Sequence, residues 1–180
     1  EVDRYTAVNA YAYATQRWEW ALVLVPLSTL WEAIDGKVAR AQGKQSLSGN
    51  YYETMIDKLV EIILFIGLAF VAPVAAIAAL GFGLWSSYAK PRVALVIITD
   101  NRDWPAIGEH ADKMVILWAG TLWAFLNQTA AVEIITNTLW LIALISLIGT
   151  IQRMLYAKKL IHEAEKKGTI LPYLKHGKER

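Results

Sequence analysis

The chain contains no cysteine, which excludes both a disulfide framework and a thiolate metal site. Charged residues are scarce at 19%, against about 25% in an ordinary soluble domain. A net charge of +2 is too small to mark a nucleic-acid binder. Internal repeats and low-complexity linkers are also lacking, and no signal-peptide pattern or initiator methionine stands before Glu1. What fills the chain instead is apolar: 56% of its 180 residues are hydrophobic, above the about 45–50% of soluble domains, and eight are tryptophan. That length suits one domain.

Five apolar segments are expected to be helical, near residues 18–31, 59–73, 74–88, 114–126 and 130–151. Several fall short of the ~20 residues that cross a bilayer. They become long enough if helix continues into polar neighbours such as Asp35 to Arg40 and Gly49 to Lys58. Pro26 and Pro91 are expected to kink or end their helices. The tryptophans suit interfacial belts or helix packing better than a ligand cage. Alternating the segments across a membrane gathers 16 of the 18 lysines and arginines on one side, leaving Arg4 and Arg17 opposite. Cytoplasmic loops carry such an excess, so this side is the cytoplasmic one. The expected layout is an all-α, polytopic membrane bundle of about five to six helices. Residues 1–17 form a juxtamembrane or external segment, 18–155 the transmembrane catalytic domain and 156–180 a cytoplasmic tail. Either a further segment precedes Glu1, or residues 1–17 lie along the membrane surface.

The costliest residues in this layout are acids beside hydrocarbon. Glu32 and Asp35 are three apart and Glu53 and Asp57 four apart, so each pair shares a helix face. A short turn containing Gly43, Ser46 and Ser48 would bring the two faces together. Four oxygen ligands with no histidine or cysteine nearby favour hard cations: Mg²⁺, Mn²⁺ or Ca²⁺. Gly36 and Gly49 leave room for a ligand near the backbone. Arg40, one turn beyond Asp35, can hold phosphate bidentately. Metal, arginine and glycine together suggest a substrate bearing a diphosphate.

The stretch resembles the motif of the CDP-alcohol phosphatidyltransferase family, D-x-x-D-G-x-x-A-R-x8-G-x-x-x-D-x-x-x-D. Asp35, Gly36, Ala39, Arg40, Gly49 and Asp57 match at the right spacing, and Glu32 and Glu53 stand where the pattern has aspartate. The resemblance implies an enzyme that moves a phosphatidyl-type group from CDP-diacylglycerol or CDP-archaeol to a small alcohol and releases CMP. It implies two divalent cations, Mg²⁺ or Mn²⁺, held by Glu32, Asp35, Glu53 and Asp57, with Asp57 as the base. Gly36, Ala39, Arg40 and Gly49 would receive the CDP-lipid. It also implies a homodimer in the cell membrane, with the active site facing the cytoplasm. The two glutamates reach one methylene further than aspartate, so backbone or metal must shift by roughly one C–C bond; Ca²⁺ tolerates such a change better than Mg²⁺.

For the acceptor, the run Ser86, Ser87, Tyr88, Lys90 and Arg92 offers cations to an anionic alcohol such as glycerol 3-phosphate or inositol phosphate. Lys90 and Arg92 are the acceptor candidates, and the same residues also read as side chains snorkelling to headgroups. Arg102 and Lys113 read that way too. Glu61 extends the polar stripe one turn past Asp57, towards Lys58. His110 with Glu109 and Asp112 is either a metal cluster or, more simply, a polar loop entering a helix. Two other functions compete with the enzyme. One is an ion channel or transporter lined by the acids, which would need polar groups at several depths. The other is a non-catalytic homologue.

Overall fold

The computed structural model describes residues 2–28, 47–97, 104 and 107–171. Within these residues the fold is all-α. The helices are α1 (Val2–Ala14), α2 (Trp18–Ser28), α3 (Leu47–Ala69), α4 (Pro73–Ala94), α5 (His110–Leu126) and α6 (Ala131–Lys167), with a short 3-10 turn at Gln128–Ala130 before α6. By length and composition, Gln128–Lys167 is the one described helical stretch long and apolar enough to cross a membrane.

The apolar run that begins at Leu59 proves to be the second half of a helix that starts twelve residues earlier, at Leu47. Helix therefore does continue through the polar residues 49–58. Neither proline ends its helix: α2 runs through Pro26 to Ser28, and α4 runs through Pro91 to Ala94.

The most extensive packing is α4 along α6. The buried positions of α4 up to its last turns are all small: Ala75, Ala76, Ala79, Gly83 and Ser86. Small side chains let two backbones approach closely where no hydrophobic drive separates helix from lipid. The two helices run in the same direction. The Thr150 hydroxyl donates to the Phe82 carbonyl at 3.3 Å, and one turn on Arg153 donates to the Ser86 carbonyl at 2.9 Å. The starts of α3 and α5 and the ends of α4 and α6 therefore gather at one end of the bundle, which holds Lys58, Lys90, Arg92, Lys113 and Arg153.

Helix α1 packs into the bundle. Ala12 and Tyr13 of α1 belong to the main core, and the Tyr13 hydroxyl shares a buried hydrogen bond of 2.6 Å with Thr121 of α5. A Cβ on Gly67 of α3 would run into the Ala10 backbone, so glycine sets that close approach. At the other end of the chain, α6 passes residue 155 without a break. Its Ala157 and Ala164 join Val93, Ile97 and Trp104 in a second, smaller core.

Candidate active site

Gly49, Glu53, Asp57 and Glu61 occupy successive four-residue steps of α3. Each such step turns a helix by about 400°, so a ladder of this kind drifts by about 40° per rung. The drift has a visible consequence. Gly49 and Asp57 are exposed, whereas Glu61, one rung further, is 0% exposed and points into the bundle. Asp57 is therefore presented outward at the polar end of α3, and the next acid is used inside. Glu32, Asp35, Gly36, Ala39 and Arg40 lie outside the described residues, as does the side chain of Glu53.

Glu61 is held by two lysines. Lys113, at the start of α5 and only 2% exposed, donates to one carboxylate oxygen, and Lys58 reaches the other at 3.0 Å. Gly83 of α4 closes over this pair: a Cβ there would lie 2.8 Å from the Lys113 ammonium and 3.3 Å from the Glu61 carboxylate. Three helices thus meet on one buried ion pair, one turn below Asp57. A second ion pair joins α6 to the loop before α5. Arg153 donates to the Ser86 carbonyl and, at 2.7 Å, to the Glu109 carboxylate. Buried charges survive where partners satisfy them, as Lys113 and Lys58 do for Glu61. Arg153 is also buried, but its partner Glu109 is 53% exposed.

The cluster of Glu109, His110 and Asp112 has a structural use. Asp112 accepts the backbone N–H groups of Gly108 and Glu109 at 3.0 and 3.1 Å, capping the start of α5. Gly108 sits at φ 74°, in the left-handed region that glycine enters freely. With Asp112 capping the helix and Glu109 on Arg153, this is a polar loop entering a helix. Among the described residues no group of three metal-binding side chains is gathered.

Lys90 and Arg92 are two residues apart in sequence but about 200° apart around α4. Lys90 stands one turn beyond Ser86, which is buried against Arg153, and is half-buried. Arg92 is exposed and faces an outer groove between α4 and α6. Two side chains tied into the site's surroundings have partners far away in the chain. Glu61 meets Lys113 across 52 residues, and Arg153 meets Glu109 across 44.

The CDP-alcohol phosphatidyltransferase family model matches residues 4–148. The chain belongs to that family. It is thus an enzyme of phospholipid synthesis, from a membrane-associated family whose chemistry is CDP-alcohol phosphotransfer. The archaetidylinositol phosphate synthase of Methanothermobacter thermautotrophicus is 26% identical over 136 residues, 74% of this chain and 67% of the relative. Two crystal structures of the Mycobacterium tuberculosis phosphatidylinositol phosphate synthase share the fold at 19% identity. The one with CDP-DAG bound has a TM-score of 0.72 over 87% of this chain and 82% of that one. The one in complex with manganese and citrate has a TM-score of 0.73 over 87% and 78%. Membership of this phosphatidyltransferase family displaces the channel reading. The one buried acid among the described residues, Glu61, is held by two lysines.

Proposed function

We propose that this phosphatidyltransferase moves a phosphatidyl-type group from CDP-diacylglycerol or CDP-archaeol to the hydroxyl of a phosphorylated polyol, releasing CMP. The observation that carries the reading is the second half of the motif riding on one helix, with Gly49 and Asp57 exposed at the positively charged end of the bundle.

Glu32, Asp35, Glu53 and Asp57 would hold the divalent cations; an all-oxygen donor set suits Mg²⁺ or Mn²⁺, and the manganese of the tuberculosis enzyme is consistent with that choice. When bound, the two ions supply positive charge to the attacking and leaving oxygens. Asp57 takes the proton of the acceptor hydroxyl, a role that its exposure supports. Gly36, Ala39 and Gly49 leave space for the cytidine end of the donor, and Arg40 binds its phosphates. The buried Glu61–Lys113 pair holds α3 against α5 and so fixes the height of Asp57. Lys90, half-buried on α4, attracts the acceptor's phosphate. An inositol phosphate is the preferred acceptor over glycerol 3-phosphate, since the relatives named above are synthases of archaetidylinositol phosphate and phosphatidylinositol phosphate. The cation-rich end of the bundle faces the cytoplasm in this reading, with several helices crossing the membrane. The working form is a homodimer.

The test is CMP release by purified protein with Mg²⁺ or Mn²⁺ and CDP-diacylglycerol or CDP-archaeol. The acceptors are inositol phosphate, glycerol 3-phosphate, serine and inositol. Turnover with the phosphorylated acceptors, inositol phosphate first, is the expected result. Silence across the whole panel with both donors would overturn the reading.

A further inference from the structure

On the outer side of the bundle, α4 and α6 leave a groove of about 790 Å³, within the range of small-molecule sites. Its floor is anchored, because Val93 and Ala157 are buried in the smaller core with Trp104. Its walls change character along the helix axes. At the level nearer the middle of the bundle they are apolar, with Trp85, Met154 and Leu155 all exposed. One turn on along α6 come Lys158 and Lys159, and two turns on along α4 from Trp85 comes Arg92. Four residues of helix rise about 6 Å, so hydrocarbon-like surface gives way to cations over the depth of a headgroup region.

Charge decides what such a groove accepts. Arg92, Lys158 and Lys159 are exposed on its rim, and the one carboxylate there, Glu165, lies 3.9 Å from His162. A cationic rim above an apolar slot matches one kind of molecule, an anion with a hydrocarbon tail. A second copy of this chain fits poorly, because a two-fold contact would set these three cations against their own equivalents. We infer that the α4/α6 groove is a binding site for an anionic phospholipid. The phosphate lies on Arg92, Lys158 and Lys159, the acyl chain lies along Met154 and Leu155, and Trp85 and Tyr88 flank the glycerol region. The site is lined by α4 and α6 and includes no residue of the motif on α3.

The experiment is native mass spectrometry of the full chain in detergent, titrated with phosphatidylglycerol or phosphatidylcholine of the same acyl chains. One phosphatidylglycerol per chain is expected to bind at least ten-fold more tightly than phosphatidylcholine. A basic residue near a headgroup contributes about five-fold, so Arg92→Ala with Lys158→Ala should cost about thirty-fold. Lys166→Ala with Lys167→Ala removes the same charge from the end of α6, outside the groove, and should change binding by less than about two-fold. Both pairs are exposed, and circular dichroism would check that each variant keeps its helix content. Equal losses in the two double variants would reveal a diffuse basic surface and overturn the site. So would phosphatidylcholine binding as well as phosphatidylglycerol, or inorganic phosphate displacing the lipid at equal concentration. A change of oligomeric state in the Arg92/Lys158 variant, with lipid binding unchanged, would assign the groove to a second copy instead.

Discussion

Removing one member of the Glu61–Lys113 pair should cost far more than removing both. Glu61 is 0% exposed and Lys113 is 2% exposed, so neither can turn to water when its partner goes. Breaking a buried pair from one side typically costs about 3–5 kcal/mol. The two sides are not equivalent here. Lys113→Met leaves Glu61 with Lys58 at 3.0 Å, which is itself 28% exposed, and should sit at the lower end, about 3 kcal/mol. Glu61→Leu leaves Lys113 buried with no acid and with Lys58 as a like-charged neighbour, and should sit at the upper end, about 5 kcal/mol. The double variant replaces the pair with apolar side chains and frees Lys58 to snorkel, so it should fall within about 1 kcal/mol of wild type. Reversible unfolding in mixed micelles, followed by circular dichroism, gives all four values. If the pair were an ordinary polar contact between membrane helices, each single change would cost only about 0.6 kcal/mol. Single-variant losses near that value, or a double variant equal to the sum of the singles within about 0.5 kcal/mol, would refute the argument.

Asp57→Asn should lower CMP release by at least about a hundred-fold, the usual lower bound for losing a general base. Because Asp57 is exposed, the variant should keep its unfolding midpoint; turnover near the wild-type rate would remove Asp57 from that role. Gly67→Ala pushes a Cβ into the Ala10 backbone, which cannot swing aside as a side chain end would. It should destabilise by about 1–3 kcal/mol and loosen α1, seen as faster hydrogen exchange across Val2–Ala14. Unchanged exchange would mean that α1 and α3 have room to part.

Local spacing carried most of what could be read without coordinates. The four-residue steps from Gly49 to Asp57 make sense only on a helix, and α3 does begin at Leu47, well before its apolar run. The pair formed by Lys58 and Glu61 was within reach for the same reason, since three residues make a helical contact. What stayed hidden lies across the fold. Lys113 has the sequence context of a cation snorkelling to headgroups, being the last polar residue before an apolar segment. It is instead buried, because α5 sets its first turn against the one rung of the α3 ladder that has drifted inward. Periodicity predicts that drift, but it cannot say which helix waits there.

The divergence of Lys90 and Arg92 follows from the same arithmetic and bears on function. Two cations two residues apart look like one phosphate clamp in a linear sequence. On a helix they are about 200° apart and cannot grip the same small anion. Lys90 shares its side of α4 with Ser86, and so with Arg153. Arg92 lines the same groove as Trp85, Tyr88 and the exposed Met154 and Leu155 of α6. The polar end of α4 therefore presents two surfaces, and in the proposed reading one serves the reaction and the other an anionic lipid. Lys90→Ala should impair turnover through the acceptor's KM and spare phosphatidylglycerol binding, whereas Arg92→Ala should weaken phosphatidylglycerol binding. If both substitutions raised the acceptor KM equally, the two cations would be acting as one clamp, and α4 could not be the regular helix described here through Pro91.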